Sequence, residues 1–247
     1  MREHNCDVRA FEVIGRPEAR GQFVFSCEHA SNDVPLPLAA RVQDQPWLDM
    51  HWGWDIGAEI VTRYLVENSD SVGILSTFSR LVCDPNRDLD NETLIPLTVE
   101  GYELSFNRGL DESERRRRIT ALYEPFHAAL DEVVGACAQR DDTVLLISVH
   151  SFTPMYNGHR REMEMAVLFD DFEDLAISLA ERIKAQGFVT ALNEPYSGFE
   201  GMMPSANRHG RAHQITYLEI EIRQDLIDTN AKARSVAAQL LEALRCA

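Results

Sequence analysis

The chain has no apolar stretch long enough to cross a bilayer, no low-complexity segment and no internal repeat, so nothing in it points to a helical membrane protein, a fibre or a solenoid. It is also short of positive charge. Lysine and arginine number 24 against 40 aspartates and glutamates, for a formal net charge of -16. Such a surface repels phosphate backbones and anionic lipid headgroups, so neither nucleic acid nor membrane is an expected partner. A small anionic substrate would have to be met by a local concentration of arginine or metal charge. The cysteines are few, odd in number and scattered: Cys6, Cys27, Cys83, Cys137 and Cys246 form no CxxC pair. They are expected to be reduced, buried thiols, not a disulfide framework or a zinc knuckle. HExxH is absent too. Met1–Ala10 mixes charges of both signs and lacks the apolar stretch of a secretory leader, so a cytoplasmic location is expected.

What is present suits one globular domain spanning residues 1–247, with 45% hydrophobic and 26% charged residues and enough length to bury a continuous core. Apolar, β-branched runs predict strands at Phe23–Cys27, Val72–Thr77, Leu81–Cys83, Val144–Val149, Met165–Phe169 and Ile215–Ile222. Several are too continuously apolar for a sheet with one wet face. Three- and four-residue spacing of Ile119, Leu122, Tyr123, Phe126, Leu130, Val133, Val134 and Cys137 predicts a long amphipathic helix, and similar patterns predict helices at Phe172–Ala185, Asn230–Arg245 and from near Gly53 through Leu65. Alternating strands and helices imply an α/β fold, a three-layer α/β/α sandwich around a mixed, mainly parallel sheet. Sites in such sheets gather beyond the carboxyl ends of the strands. Two long stretches, Asp88–Glu112 and Pro195–Gln214, are expected to be irregular and to wall a site.

Chemistry-bearing residues fall where that architecture would put them. An apolar strand runs into Glu28-His29-Ala30-Ser31-Asn32, and another runs into His150-Ser151. Either histidine alone could be a hydrogen-bonded residue at the sheet edge, but two of the same construction suggest a shared zinc-type site. Arg87, with Asn86 beside it, could offer a planar fork of donors to a carboxylate; the competing reading is a structural ion pair with Asp84, Asp88 or Asp90, open to Arg80 as readily and to Arg87 less so. Period-two alternation sets Tyr217, Glu219, Glu221 and Arg223 on one face of the last strand, where a buried glutamate could serve as a general base. The competing reading there is a Glu-Arg ladder on an edge strand. Asp55 could be an oxygen ligand or a helix cap. Arg115–Arg118 reads as a solvated helix face, and Trp52 and Trp54 read as packing residues.

In chain order these pieces run histidine at a strand end, Asp-x-Asn-Arg, His-Ser at a strand end, and glutamate on the last strand. That order resembles the N-formylglutamate amidohydrolase family, and the likeness extends from Phe23 to Leu226, including Phe78-Ser79-Arg80-Leu81-Val82, Glu194-Pro195-Tyr196-Ser197-Gly198 and Glu221-Ile222-Arg223. The family is related in fold to zinc carboxypeptidases and aspartoacylase-type deacylases. The resemblance therefore implies a phosphorylase/hydrolase-like (zinc carboxypeptidase-like) sandwich and metal-dependent removal of an N-acyl group, formyl above all, from an acidic amino acid such as N-formyl-L-glutamate. It implies that His29 and His150 hold Zn2+, that Asn86 and Arg87 grip the substrate carboxylate, and that Glu221 activates water. Arg80, Tyr196, Ser197 and Arg223 follow as further substrate contacts. One departure stands out: the related deacylases use His-x-x-Glu, whereas Asn32 follows His29 at that spacing. The third ligand is then Asp55, Asn32 or Glu28, in that order of expectation. Competing readings are a deacylase or peptidase for another acyl-amino acid, and a catalytically silent small-anion-binding protein.

Overall fold

A computed structural model describes residues 9–16, 18–140 and 143–245, so Cys6 and Cys246 lie outside the described residues. Apolar and alternating segments pair into one sheet from β1 (Phe11–Gly15), β2 (Phe23–Cys27), β3 (Val72–Ser76), β4 (Leu145–Phe152), β5 (Met165–Leu168), β6 (Thr190–Leu192) and β7 (Thr216–Arg223). The order across the sheet is β1-β3-β2-β4-β7-β5-β6. Pairing is parallel from β3 through β2 and β4 to β7 and again between β5 and β6, and antiparallel for β1 with β3 and β7 with β5. This is the mixed, mainly parallel sheet expected.

The helices are α1 (Gln45–Asp49), α2 (Ala58–Asn68), α3 (Glu112–Arg118), α4 (Glu124–Ala138), α5 (Glu173–Ala185), α6 (Pro204–His213) and α7 (Asn230–Arg245). On one face α2, α5 and α7 bring Val61, Leu65, Leu179 and Leu240 against Phe25, Ile147 and Ile220. On the other, α4 and α6 bring Phe126, Leu130 and Ala206 against Val24, Leu146 and Tyr217. Both faces are covered, which is why the central strands read as unbroken apolar runs. Each aliphatic side chain buried this way contributes about 1.5–3 kcal/mol, so sheet position and strand register are fixed by the core. None of the described helices is long and apolar enough to cross a membrane. Cys27, Cys83 and Cys137 are free and buried, as expected.

Four local expectations are corrected. Leu81–Cys83 is a buried turn, not a strand: Val82 N–H donates to Ser79 O at 2.9 Å, and the side chains fill a third apolar cluster with Leu48, Phe78, Leu94 and Phe106. The run is apolar because it plugs the space under the loops. The helix expected from Gly53 begins only at Ala58, because Gly57 sits at φ 83° where a Cβ would meet Ile227 O at 2.2 Å. The stretch Pro195–Gln214 is not wholly irregular, since it contains α6; the buried face of that helix is Ser205, Ala206, His209 and Gly210, which leaves no apolar stripe to read. Strands β1 and β6 carried no predicted run, being short and at the two edges.

Arg118 is the fourth correction. It is 2% exposed rather than solvated, and it donates to Val82 O (3.2 Å), Phe106 O (2.6 Å), Glu114 Oε1 (2.8 Å) and Asn107 Oδ1. It ties α3 to the two loops that precede it. Removing it strands several buried acceptors at once. Arg118→Ala should lower unfolding stability by about 3 kcal/mol in denaturant titration, whereas Arg116→Ala on the exposed face should change it by less than about 0.5 kcal/mol.

Candidate active site

The three adjacent parallel strands β2, β4 and β7 converge on one end of the sheet. β2 stops at Cys27 and leaves Glu28 and His29 just beyond it; His150 lies late in β4, and its neighbour across the strand pair is Glu221 of β7. Glu219 lies beside Ser148 in the same register. β7 is an interior strand, flanked by β4 and β5, so the edge-ladder reading of its glutamates does not hold. Leu218, Ile220 and Ile222 face the core, and the carboxylates of Glu219 and Glu221 face the opposite way, as the alternation requires.

Asp55, from the loop before α2, reaches into this end of the sheet and is 1% exposed. Its Oδ2 lies 2.8 Å from His150 Nδ1 and 3.4 Å from His29 Nδ1, and ligand atoms of the trio all lie within 4.8 Å of one another. The outer nitrogens are held by carboxylates. His29 Nε2 is 2.7 Å from Asp84 Oδ1, and His150 Nε2 is 3.2 Å from Glu28 Oε2 and 3.6 Å from Glu219 Oε2. A carboxylate only accepts, so His29 donates from Nε2 and its Nδ1 lone pair points inward. Ring nitrogens fixed from behind by carboxylates are the usual support of metal-ligating histidines. Donors around a zinc ion at about 2.0–2.1 Å stand roughly 3.3 Å apart, close to the two distances from Asp55 Oδ2 to the histidines.

Charge leads to the same place. Glu28, Asp55, Asp84, Glu219 and Glu221 are all buried, with Arg80 and His150 as the opposing groups around them. Burial works against the charge of His150, but Glu219, Asp55 and Glu28 outweigh it and hold its pKa well above the ordinary imidazole range. Burial pushes Glu219 up to about 7 and Glu221 well above the carboxylate range, and each leaves its Oε2 without a hydrogen-bond partner. Two buried carboxylate oxygens thus stand without a hydrogen-bond partner beside His29, His150 and Asp55, and the donor set of two nitrogens and an oxygen suits a divalent metal.

The trio opens into a cavity of about 930 Å³ lined by His29, Asp55, Arg80, Asn86, Arg87, His150, Arg161, Tyr196, Glu219 and Glu221, among others. Arg80 is held by Asp55, with its Nη1 3.1 Å from His29 Nδ1 and its Nη2 3.3 Å from His51 Nδ1. Asn86 is pinned by the Ser205 amide at 3.2 Å and lies 3.5 Å from His150 Nε2. Arg87 is half-buried, with Nε 3.9 Å from Asp84 Oδ2. Of the candidates for a third ligand, Asp55 joins the trio. Glu28 stands behind His150, bonded by Ser148 and Ser205 hydroxyls at 2.6 and 2.7 Å, and Asn32 donates to Asp49 at 3.2 Å. Ser197 and Arg223 are not among the lining residues. Ser197 Oγ caps a short turn by accepting from Phe199 N–H at 3.2 Å, and Arg223 donates to the carbonyls of Arg161 and Met163 at 3.1 and 3.2 Å. Trp52, expected to pack, is 45% exposed and lines the cavity.

The family model described as N-formylglutamate amidohydrolase matches residues 21–228. The chain belongs to the N-formylglutamate amidohydrolase family. As a member of that family it is a hydrolase acting on amide bonds. A crystal structure of a gene product from Agrobacterium tumefaciens shares 32% identity and superposes with a TM-score of 0.85, over 97% of this chain and 96% of that one. An N-formylglutamate amidohydrolase from Ralstonia eutropha JMP134 has the same fold at 20% identity, with a TM-score of 0.77 over 96% of each chain. No curated protein matches the sequence.

This amidohydrolase also buries a second polar network behind the Asn86–Arg87 loop, which nothing in the sequence pattern signalled. His127 of α4 lies with Nε2 2.9 Å from Pro85 O and Nδ1 2.9 Å from His209 Nε2 of α6; His209 Nδ1 continues to Asp131 Oδ1 at 3.3 Å. The two helices thus grip the backbone one residue before Asn86. Burial, then the proximity of His209, pushes His127 down to about 3. The folded state therefore refuses a proton that the unfolded chain takes up near pH 6.5, so this contribution to stability is complete above about pH 6.5 and fades as pH falls toward 3. The thermal midpoint of the wild type should fall more steeply between pH 7 and pH 5 than that of His127→Gln; equal slopes would exclude His127 as the source.

Proposed function

We propose that this hydrolase is a zinc-dependent deformylase of N-formyl acidic amino acids, with N-formyl-L-glutamate as the favoured substrate. The observation that carries the reading is the convergence of His29 Nδ1, His150 Nδ1 and Asp55 Oδ2 at the floor of a cavity whose walls hold both a free glutamate and arginines. Zinc bound there would polarise the acyl carbonyl and lower the pKa of water to about 7.

The chain's own residues do the rest. Glu221 lies across the strand pair from His150 and faces the cavity with Oε2 unpartnered; a cation held by the trio would offset the burial that favours its protonated form, leaving it able to accept a proton from the attacking water and pass it to the departing amine nitrogen. Glu219 is less suited to that task because it stands at the outer nitrogen of His150. Arg87 offers its guanidinium to the α-carboxylate, fixing the acyl carbon near Glu221, and Asn86 supports that wall. Arg80, tied to Asp55, keeps a positive charge beside the reacting carbonyl. Formyl rather than a larger acyl group follows from the family.

Protein purified without chelator should contain about one equivalent of divalent metal and release formate from N-formyl-L-glutamate, losing that activity to a chelator and regaining it with Zn2+. A protein that neither carries nor acquires metal would be a silent anion binder instead. Comparable rates on N-acetyl- or N-succinyl-glutamate would overturn the acyl assignment. Glu221→Gln should keep its metal and lose about 10²–10⁴-fold in turnover; retained turnover would remove Glu221 as the base. Asp84→Asn, which loosens His29 from behind, should weaken metal binding by about 10- to 100-fold in competition with a chromogenic chelator.

A further inference from the structure

Arg161 lines the same cavity and was singled out by no motif. It sits on the return side of a small hairpin, Met155–Tyr156 with His159–Arg160, that overhangs the site beyond the end of β4. Its guanidinium carbon lies 5.0 Å from the ring centre of Tyr156, 5.5 Å from that of Phe152 and 5.7 Å from that of Tyr196. Nη1 donates to the carbonyl and hydroxyl of Thr153 at 3.1 and 3.2 Å. The charge is therefore set in an aromatic frame with its orientation fixed.

What it lacks is an anion. Arg80 is paired with Asp55, Arg87 stands near Asp84 and Arg223 binds Asp225, but no carboxylate among the described residues lies within ion-pair distance of Arg161. In a chain with a formal charge of -16, a half-buried cavity guanidinium without a carboxylate partner calls for one from outside. Aromatic walls keep bulk water away and strengthen a charge-assisted hydrogen bond made there. The backbone that carries it is anchored as well. Arg223 donates to the carbonyls of Arg161, Glu162 and Met163, and Arg161 N–H donates to Pro154 O at 2.9 Å.

We propose that Arg161 is the specificity residue of this hydrolase, its guanidinium receiving the side-chain carboxylate of a dicarboxylic acyl amino acid whose α-carboxylate is held by Arg87. This rests on the amidohydrolase reading above and adds the feature that would separate glutamate from its neutral analogues. Arg223 is then a positioning residue, acting on substrate only through the hairpin that bears Arg161.

The test compares the acid with its isosteric amide. Wild-type enzyme should favour N-formyl-L-glutamate over N-formyl-L-glutamine in kcat/KM, and Arg161→Gln should lose about 10- to 150-fold on the acid while changing the amide by less than about threefold. Thermal melting checks the fold, and Arg161→Met, which keeps the aliphatic stem against the rings, serves if the glutamine variant is unstable. Calorimetric titration with L-glutamate and L-glutamine reports on the subsite without turnover. A preference for the acid that survives in both variants, or a wild type that binds the two equally, overturns the assignment. A wild type that binds glutamate preferentially through Arg161 yet hydrolyses no formyl amino acid keeps the subsite and overturns the deformylase reading instead.

Discussion

One buried oxygen organises this protein. Asp55 Oδ2 is shared by His150 Nδ1, by the amide of Ser151 at 3.2 Å and, more distantly, by His29 Nδ1, while Oδ1 of the same carboxylate takes Arg80. Burial opposes the negative charge, but Arg80 and the two histidines hold its pKa well below the usual carboxylate range. The loop before α2, the ends of β2 and β4 and the turn after β3 are thus drawn to one point. Without that charge His150 Nδ1 would lose its acceptor, and Arg80 would be a half-buried cation left beside His29.

The parts of the fold that could be read in the sequence are those whose burial is two-sided. β2, β7 and α7 follow the predicted ranges to within a residue, and β4 runs three residues past its predicted end, because a strand or helix packed on both faces, or along a full stripe, must spell that packing in its apolar residues. Where burial is met by small or polar side chains the signal disappears. α6 packs through Ser205, Ala206, His209 and Gly210, with Tyr217 lying where a Cβ on Gly210 would be, and so it looks like loop. Leu81–Cys83 errs in the other direction, since apolar residues that fill a turn are indistinguishable by composition from a strand.

The site was legible where chemistry sits at a strand end and illegible where it acts across the fold. His29, His150 and Glu221 stand at predicted strand ends, and the structure brings them to one cavity with Asp55, Asn86 and Arg87. The support around them depends on contacts more than 50 residues apart in sequence, such as His29 with Asp84 at a separation of 55 and Ser205 with Glu28 at 177. No local period encodes these. Arg118 and Arg223 show the same limit in reverse, since a charged residue at a plausible position reads as solvent or ligand contact until its acceptors are known to be main-chain carbonyls.

The divided construction of the cavity has an evolutionary meaning. Its floor is made of side chains locked between central strands, whereas its roof is a short exposed hairpin fastened by main-chain carbonyls to a single arginine of β7. A carbonyl is the same whichever residue supplies it. The roof can therefore exchange its side chains while its attachment and the buried histidine and carboxylate floor below stay as they are.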